Sequence, residues 1–203
     1  MAITRLGPNQ SVNLANNVTG TLPASNVANS TLTNVTALPA AIPTGKVLQV
    51  IQSTNKTFSN YTANSSFRDI SLSASITPSS SSNKILIKGQ VTVGMDNGLN
   101  QGYGIGLRIL RDSTALNLPS VGGSQMTTFS VGTTGSNDDD CITAPFVYLD
   151  SPSSTSAITY KIQACGRDSK AFSINGPGDL NEDTATNARI ASTSSIIVME
   201  VSA

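Results

Sequence analysis

Residues 67–76 read FRDISLSASI, with an apolar residue at every second position from Ile70 to Ile76. Successive side chains of a β-strand point to opposite faces, so this alternation predicts a strand with one face in a core and the other in water. The next residues, TPSSSSN at 77–83, have the composition of a turn. They lead into KILIKGQVTV at 84–93, which predicts a second strand.

Further strands are predicted on both sides of this stretch. Residues 194–201, SSIIVMEV, form the last of them, and we expect it to be central in its sheet. Seven to nine strands at this spacing predict an all-β fold, an antiparallel two-sheet sandwich that is jelly-roll-like, over residues 43–203. The other predicted strands cover residues 46–52, 102–110, 142–149 and 157–165, with a hairpin turn at 111–114.

The composition excludes several classes of protein. Charged residues are 12% of the chain and cancel to a net charge of zero, so there is no basic excess for binding a nucleic-acid backbone. No apolar run approaches the ~20 residues of a membrane-spanning helix, so we expect no membrane insertion. Ser, Thr and Asn make up about a third of the chain, which disfavours a helical bundle.

Residues 1–42 differ from the rest of the chain, because they carry one charged residue, Arg5, and no aromatic residue. Prolines interrupt any helix, and single apolar residues recur about every eight positions. Such a segment cannot bury enough of its own surface to be stable alone. It predicts an extended N-terminal attachment and trimerisation arm along which identical chains meet. The alternative is a disordered low-complexity arm.

Several motifs, taken in order, resemble tailed-phage virion appendage proteins, especially those of marine and cyanobacterial phages. The resemblance implies a homotrimeric fibre or knob with an N-terminal arm and a C-terminal β-domain, and it supplies no catalytic residues to transfer. It does not separate a tail position from a capsid position. The motifs are TGTLP at 19–23, GKVLQV at 45–50, SITPSS and NKILI between 75 and 87, LRILRD at 107–112, SP at 151–152 with TY at 159–160, and IVMEV at 197–201.

The candidate chemistry of the chain is sparse. The acidic run Asp138-Asp139-Asp140 could hold Ca²⁺ through carboxylate oxygens, but it lacks the spacing of a calcium loop, so a solvated loop is preferred. The second acidic stretch, 179–183, offers the same choice. Cys141 and Cys165 are interpreted as two thiols, with a disulfide as the alternative. Because there is no His, a serine–histidine triad is excluded. We therefore predict no catalytic, cofactor-binding or metal site.

These observations lead to a structural component of a phage virion, a homotrimeric tail fibre or fibre-like appendage, as the first hypothesis. Residues 1–42 would bind other virion proteins, and loops at 95–102, 119–140 and 166–188 would contact a host surface glycan. The N-terminal sequence MAITR begins no apolar stretch of the signal-peptide kind, so assembly in the host cytoplasm is expected. The alternatives are a capsid decoration (cement) protein and a free carbohydrate-binding module, and an enzyme ranks last.

Overall fold

A computed structural model describes residues 46–62, 66–95, 104–121, 127–133, 141–178 and 190–203. All of these residues belong to the compact unit Thr44–Ala203. The predicted arm, residues 1–42, lies outside them. For Met95 and residues 131–133 only the backbone is described.

Within this part of the chain, eleven β-strands and one short 3-10 segment make up the regular structure. The strands run close to the predicted ones, and the stretches 59–61, 130–133 and 172–174 are strands that the sequence pattern does not predict. The strands are β1 Val47–Asn55, β2 Ser59–Tyr61, β3 Arg68–Ile76, β4 Lys84–Met95, β5 Gly104–Arg111, β6 Thr114–Ala115, β7 Ser130–Thr133, β8 Cys141–Asp150, β9 Ile158–Gly166, β10 Phe172–Ile174 and β11 Ser194–Val201, and the 3-10 segment is Arg167–Ser169.

The strands form two antiparallel sheets. In the first sheet the order is β1–β11–β4–β8. The short strand β10 pairs with β4 beyond the end of β11, and β2 pairs with β10 beyond the end of β1. In the second sheet the order is β3–β9–β5, with β6 and β7 both beside β5. If β6 and β7 are counted as one strand and the short strands β2 and β10 are left out, eight strands remain. Numbered along the chain, they are ordered 1-8-3-6 in the first sheet and 2-7-4-5 in the second. This is the strand order of a jelly roll, and it confirms the predicted sandwich.

The inner faces of the two sheets supply the core. The alternation in β3 is confirmed, because its four apolar side chains are at most 5% exposed. The last strand, β11, is central as predicted, since it lies between β1 and β4. Burying each large aliphatic side chain contributes about 2 kcal/mol. The residues of these two strands and of β9 that meet in the core are Ile70, Leu72, Ala74, Ile76, Ile158, Tyr160, Ile162, Ala164, Ile196 and Val198.

Gly89 in the middle of β4 makes room for an aromatic side chain. A Cβ atom at this position would overlap the Ser195 carbonyl oxygen and would lie 2.7 Å from Phe146 Cζ. The Ser195 carbonyl belongs to the backbone of β11 and cannot withdraw without moving that strand. Gly89 therefore lets the ring of Phe146 cover β4 on the core side.

Glu200 is a buried carboxylate on the inward face of β11. It accepts hydrogen bonds from the backbone nitrogen and hydroxyl of Ser79, at 2.7 and 2.8 Å, and from the side-chain nitrogens of Asn83 and Gln49. Desolvation raises the pKa of the Glu200 carboxyl, but the hydrogen bonds together lower it by more, so that the pKa is about 2. The charged carboxylate thus fastens the turn between β3 and β4 to β11 and β1.

This network predicts a pH-dependent effect of Glu200→Gln. The folded pKa lies below the ordinary value of 4.5, so the stabilisation is complete above pH 4.5 and is lost as pH falls towards 2. The amide leaves buried donors without acceptors, and we expect a loss of about 2 kcal/mol at pH 7. Urea unfolding at several pH values should show the gap between wild type and variant narrowing below pH 4.5. Asp168→Asn, at an exposed position, is the control, and a gap that is constant with pH contradicts the assignment.

Candidate interaction surfaces

One end of the sandwich collects the strand ends that border the long predicted loops. At this end Gly94 in β4 pairs with Cys141 at the start of β8, and Gly104 at the start of β5 pairs with Thr133 at the end of β7. The end of β9 lies here as well, because Gly166 pairs with Ile105. We call it the loop-bearing end. Segments 96–102, 122–126, 134–140 and 179–188 of the predicted host-facing loops lie outside the described residues.

Two of those predicted loops contain regular structure. Within the predicted loop 119–140, residues Ser130–Thr133 form β7 and pair with β5. Within 166–188, residues Phe172–Ile174 form β10 and pair with both β4 and β2. Short strands without a turn signature on each side escape a periodicity argument, because three or four residues hold only one or two alternations.

Asn175 fixes the base of the loop-bearing end. Its backbone has a φ of 68°, in the left-handed region. Its side-chain nitrogen, Nδ2, donates to the backbone carbonyl oxygens of Asn55 and Thr57, at 3.1 and 2.9 Å. Its side-chain oxygen accepts from the Ser194 hydroxyl at 2.6 Å, and that hydroxyl oxygen accepts from the Thr92 backbone nitrogen. One buried side chain therefore joins the end of β1, β4 and the start of β11.

The chain enters the described domain at the opposite end. Val47 pairs with Val201, and Val201 pairs with Lys84 at the start of β4, whereas β4 reaches the loop-bearing end eleven residues later. Lys46 is fastened here by a pair of bonds with Ser202: its backbone nitrogen donates to the hydroxyl at 3.0 Å, and its carbonyl accepts from the Ser202 nitrogen at 2.9 Å. The entry point and the loop-bearing end thus lie at opposite ends of the sandwich.

A second buried carboxylate, Asp150 in β8, is held by two partners. Arg111 Nη1 lies 3.0 Å from its Oδ2, and the Tyr160 hydroxyl donates to the same oxygen at 2.6 Å. Burial, and then the hydrogen bond to Asp150, raise the pKa of the Tyr160 hydroxyl. The tyrosine therefore stays a donor, and the group joins β8 to β5 and β9 across the two sheets.

Of the residues singled out for chemistry, the structure describes the two cysteines, and they lie in different sheets. Cys141 lies in the first sheet and Cys165 in the second, and both are thiols; burial raises the pKa of Cys165. The acidic stretches Asp138–Asp140 and 179–183 lie outside the described residues. Among the residues that are described, no group of three or more His, Cys, Asp or Glu could hold a metal ion. In the same ranges no helix is long and apolar enough to cross a membrane.

The outer faces of the two sheets have opposite character. The outer face of the second sheet is polar: Lys161 and Gln163 donate to the Asp69 carboxylate, and Ser75 bonds to Thr159 at 2.8 Å. The outer face of the first sheet, which we call the apolar face, carries aliphatic side chains on all four of its long strands. Polar residues share this face, among them Gln52, Lys84, Lys88, Gln90 and Ser195. Its apolar residues are Val47, Val50, Leu86, Pro145, Val147, Leu149, Ile197, Met199 and Val201.

No protein-family model and no curated protein matches this chain. The solved structures that resemble it include those of two strains of infectious bursal disease virus, Gx and Gt, and that of a VP2 subviral particle of the same virus. The Gx strain structure has 16% identity and a TM-score of 0.38, covering 75% of this chain and 32% of that one. The VP2 particle and the Gt strain both have 12% identity and a TM-score of 0.36, covering 75% and 77% of this chain and 40% and 39% of theirs. This chain thus spans less than half the length of those proteins.

Substitutions of Asn175 test the anchor at the loop-bearing end. Asn175→Gly removes three side-chain hydrogen bonds but accepts the positive φ, whereas Asn175→Ala loses the same bonds and adds backbone strain. We expect the glycine variant to lose about 2 kcal/mol and the alanine variant about 1 kcal/mol more. Urea unfolding measures both, and equal stabilities for the two variants contradict the role given to the backbone.

Proposed function

We propose that this chain is a structural component of a phage virion, a homotrimeric tail fibre or fibre-like appendage. In this proposal residues 1–42 form the arm that attaches to other virion proteins and to the arms of neighbouring copies. Residues 43–203 form a knob whose loop-bearing end contacts a host surface glycan. The motif resemblance to phage appendage proteins leads to this class of protein.

The difference between the two ends of the sandwich carries the proposal. The arm is joined to the knob at Lys46, at one end, while the strand ends that carry the long loops lie at the other. An anchored knob needs this arrangement, because the attached end faces the particle and the free end faces outward. Loops on a rigid β-scaffold are the usual site of recognition.

The buried polar groups support a structural role over a catalytic one. The Glu200 carboxylate accepts four hydrogen bonds, and Asp150 is shared between Arg111 and Tyr160. A general acid or base needs a free position near a substrate, whereas these groups are engaged with their own neighbours. They fix strands to each other, as a knob exposed outside the cell requires.

Deletion of residues 1–42 tests the attachment arm. We expect the full chain to sediment with particles that lack it and to run as a trimer. The deleted chain should lose particle binding while its thermal unfolding midpoint stays within a few degrees of wild type. A full-length chain with residues 1–42 scrambled is the control, because it preserves length and composition. Unchanged particle binding by either variant contradicts the proposed arm.

A reconstruction of the virion tests where the knob lies on the particle. Density for the knob on the tail supports the appendage, and density on the shell identifies a decoration protein instead. A glycan array with the full chain tests the loop-bearing end. Sugar binding by a monomer with no affinity for particles would favour a free carbohydrate-binding module.

A further inference from the structure

The two sheets meet along one open side of the sandwich, where the edge strands β1 and β3 lie next to each other. Among the described strands, β3 pairs with β9 alone in the second sheet, and β1 pairs with β11 alone in the first. An edge strand presents carbonyl oxygens and N–H groups with which a strand of another molecule can pair. The partners of these backbone groups therefore decide whether this side of the domain can add a strand.

Two amide side chains of β1 donate hydrogen bonds to the backbone at the β3 edge. Gln49 Nε2 donates to the carbonyl oxygen of Thr77, the residue that follows β3, at 2.8 Å. Asn55 Nδ2 donates to the carbonyl oxygen of Ile70, within β3, also at 2.8 Å. Asn55 is only 7% exposed, so water does not compete for this bond. These two bonds join the edge of the first sheet to the edge of the second.

Two further side chains join the sheets on the same side, at the loop-bearing end. The Tyr61 hydroxyl donates to the Asp69 carbonyl oxygen at 3.3 Å. In the opposite direction, Arg68 of β3 donates to the backbone carbonyl oxygen of Thr62, which follows β2. The Tyr61 ring stacks on Phe172 with the ring centroids 4.8 Å apart, and the Arg68 guanidinium lies over both rings. Stacking therefore holds both donors in place.

We call the side chains of Gln49, Asn55, Tyr61 and Arg68 the seam. Three of them bond carbonyl oxygens at the β3 edge that an added strand would use as acceptors. Each donor atom lies 2.8–3.3 Å from its acceptor, which is where the N–H group of an added strand would have to lie. The seam therefore occupies both the acceptors and the space that a further strand needs.

The backbone of β3 is irregular along the same edge. Ser71 has a φ of 55°, in the left-handed region, and the register with β9 shifts between Asp69 and Ser73. An irregularity of this kind bends a strand and interrupts its ladder. The regular pairing with β9 then continues over residues 73–76, and the Gln49 bond to Thr77 lies directly after them. The seam and the bulge together leave only this short stretch of regular edge.

The other open side of the sandwich is closed by different means. Pro145 lies inside the edge strand β8 and has no N–H to donate, and its carbonyl oxygen accepts from the Ser130 hydroxyl at 3.0 Å. The rings of Phe129 and Tyr148 meet edge to face beside it, with centroids 5.8 Å apart. A proline blocks strand addition without help from the other sheet. β3 contains no proline, so its protection depends on the seam and the bulge.

We propose that the seam is an autoinhibitory contact that keeps the β3 edge from pairing with the β3 edge of another copy of this chain. Two identical edges that run antiparallel fit each other about a two-fold axis, so a second copy always offers a matching partner. The exposed side chains of the regular stretch, Ser73 and Ser75, are small and uncharged and do not repel a second copy. Without the seam, the edge has the properties of one that adds strands.

The double variant Asn55→Ala with Tyr61→Phe tests the seam in the full-length chain. It frees the carbonyl oxygens of Ile70 and Asp69 and keeps an aromatic ring stacked on Phe172. We expect sedimentation velocity to show self-association about tenfold stronger than wild type, because each freed acceptor can take a hydrogen bond from a second copy. The comparison is made with the oligomer that wild type itself forms. Wild-type association by a folded double variant overturns the inference.

Two controls separate edge pairing from aggregation of a loosened domain. Ile109→Ala opens a cavity in the core and destabilises the domain without freeing the β3 edge, so it should associate like wild type. Ser75→Lys, added to the double variant, brings like charges together in a β3–β3 pair and should restore wild-type association. Association of Ile109→Ala as strong as that of the double variant overturns the inference, as does a double variant that Ser75→Lys leaves associated.

Hydrogen exchange distinguishes the seam from a contact that only stabilises the domain. Loss of a merely stabilising contact makes the amides of Arg68–Ile76 exchange faster in every species. Edge pairing makes the edge-facing amides of residues 73–76 exchange more slowly in the associated fraction than in wild type. Tyr61→Phe alone, which removes one hydroxyl group, gives the same comparison if the double variant does not fold. Faster exchange of residues 73–76 in the associated fraction overturns the inference.

Discussion

The structure depends on packing two sheets face to face through side chains at every second position of their strands. Ile70, Leu72 and Ile76 of β3 meet Ile196 and Val198 of β11 because each strand turns one row of side chains inward. A shift of one residue would turn that row outward, so the pattern also sets the register. The inner rows of apolar side chains do not close the two ends of the sandwich. At each end the chain uses a buried polar side chain instead. Glu200 holds the turn that closes the entry end, and Asn175 joins three strands at the loop-bearing end. Each is buried with its hydrogen-bonding groups satisfied, which is the condition under which a buried polar group does not destabilise a fold.

Much of this fold could be predicted from the sequence because the long strands carry a full period-2 signal. The stretch 194–201 coincides with β11, and the alternation in 67–76 identifies the inward residues of β3. The short strands β2, β7 and β10 could not be predicted, because they are stabilised by neighbours far away in sequence and not by their own pattern. The buried state of Glu200 was also hidden, since a glutamate near the end of a strand ordinarily faces water. Only the contact with a turn more than a hundred residues away makes it a buried anchor.

The apolar face of the first sheet has a signal in the sequence of β11. The run Ile196-Ile197-Val198-Met199 has apolar residues on both faces of β11, which predicts a strand covered on both sides. The same run also indicates the central position of β11, which lies between β1 and β4. In the structure Ile196 and Val198 face the core, whereas Ile197 and Met199 lie partly exposed on the apolar face. The period-2 pattern of a strand identifies which residues share a face, and it carries no information on contacts between chains.

Charged residues are distributed unequally between the outer faces of the two sheets. A protein that is solitary in water can place charged residues on every outer surface, and it gains solubility by doing so. Here 12% of residues are charged, and the second sheet uses Asp69, Lys161 and Arg108 on its outer face. The described outer face of the first sheet has Lys84 and Lys88 as its charged residues, together with uncharged polar residues and one aliphatic row, Val50–Met199–Leu86–Leu149. Burying ions between subunits would cost desolvation free energy, whereas serine, threonine and aliphatic side chains can be covered at little cost. A body that covered the described outer face of the first sheet would therefore desolvate the amines of Lys84 and Lys88 but no carboxylate, whereas one that covered the second sheet would also desolvate the Asp69 carboxylate.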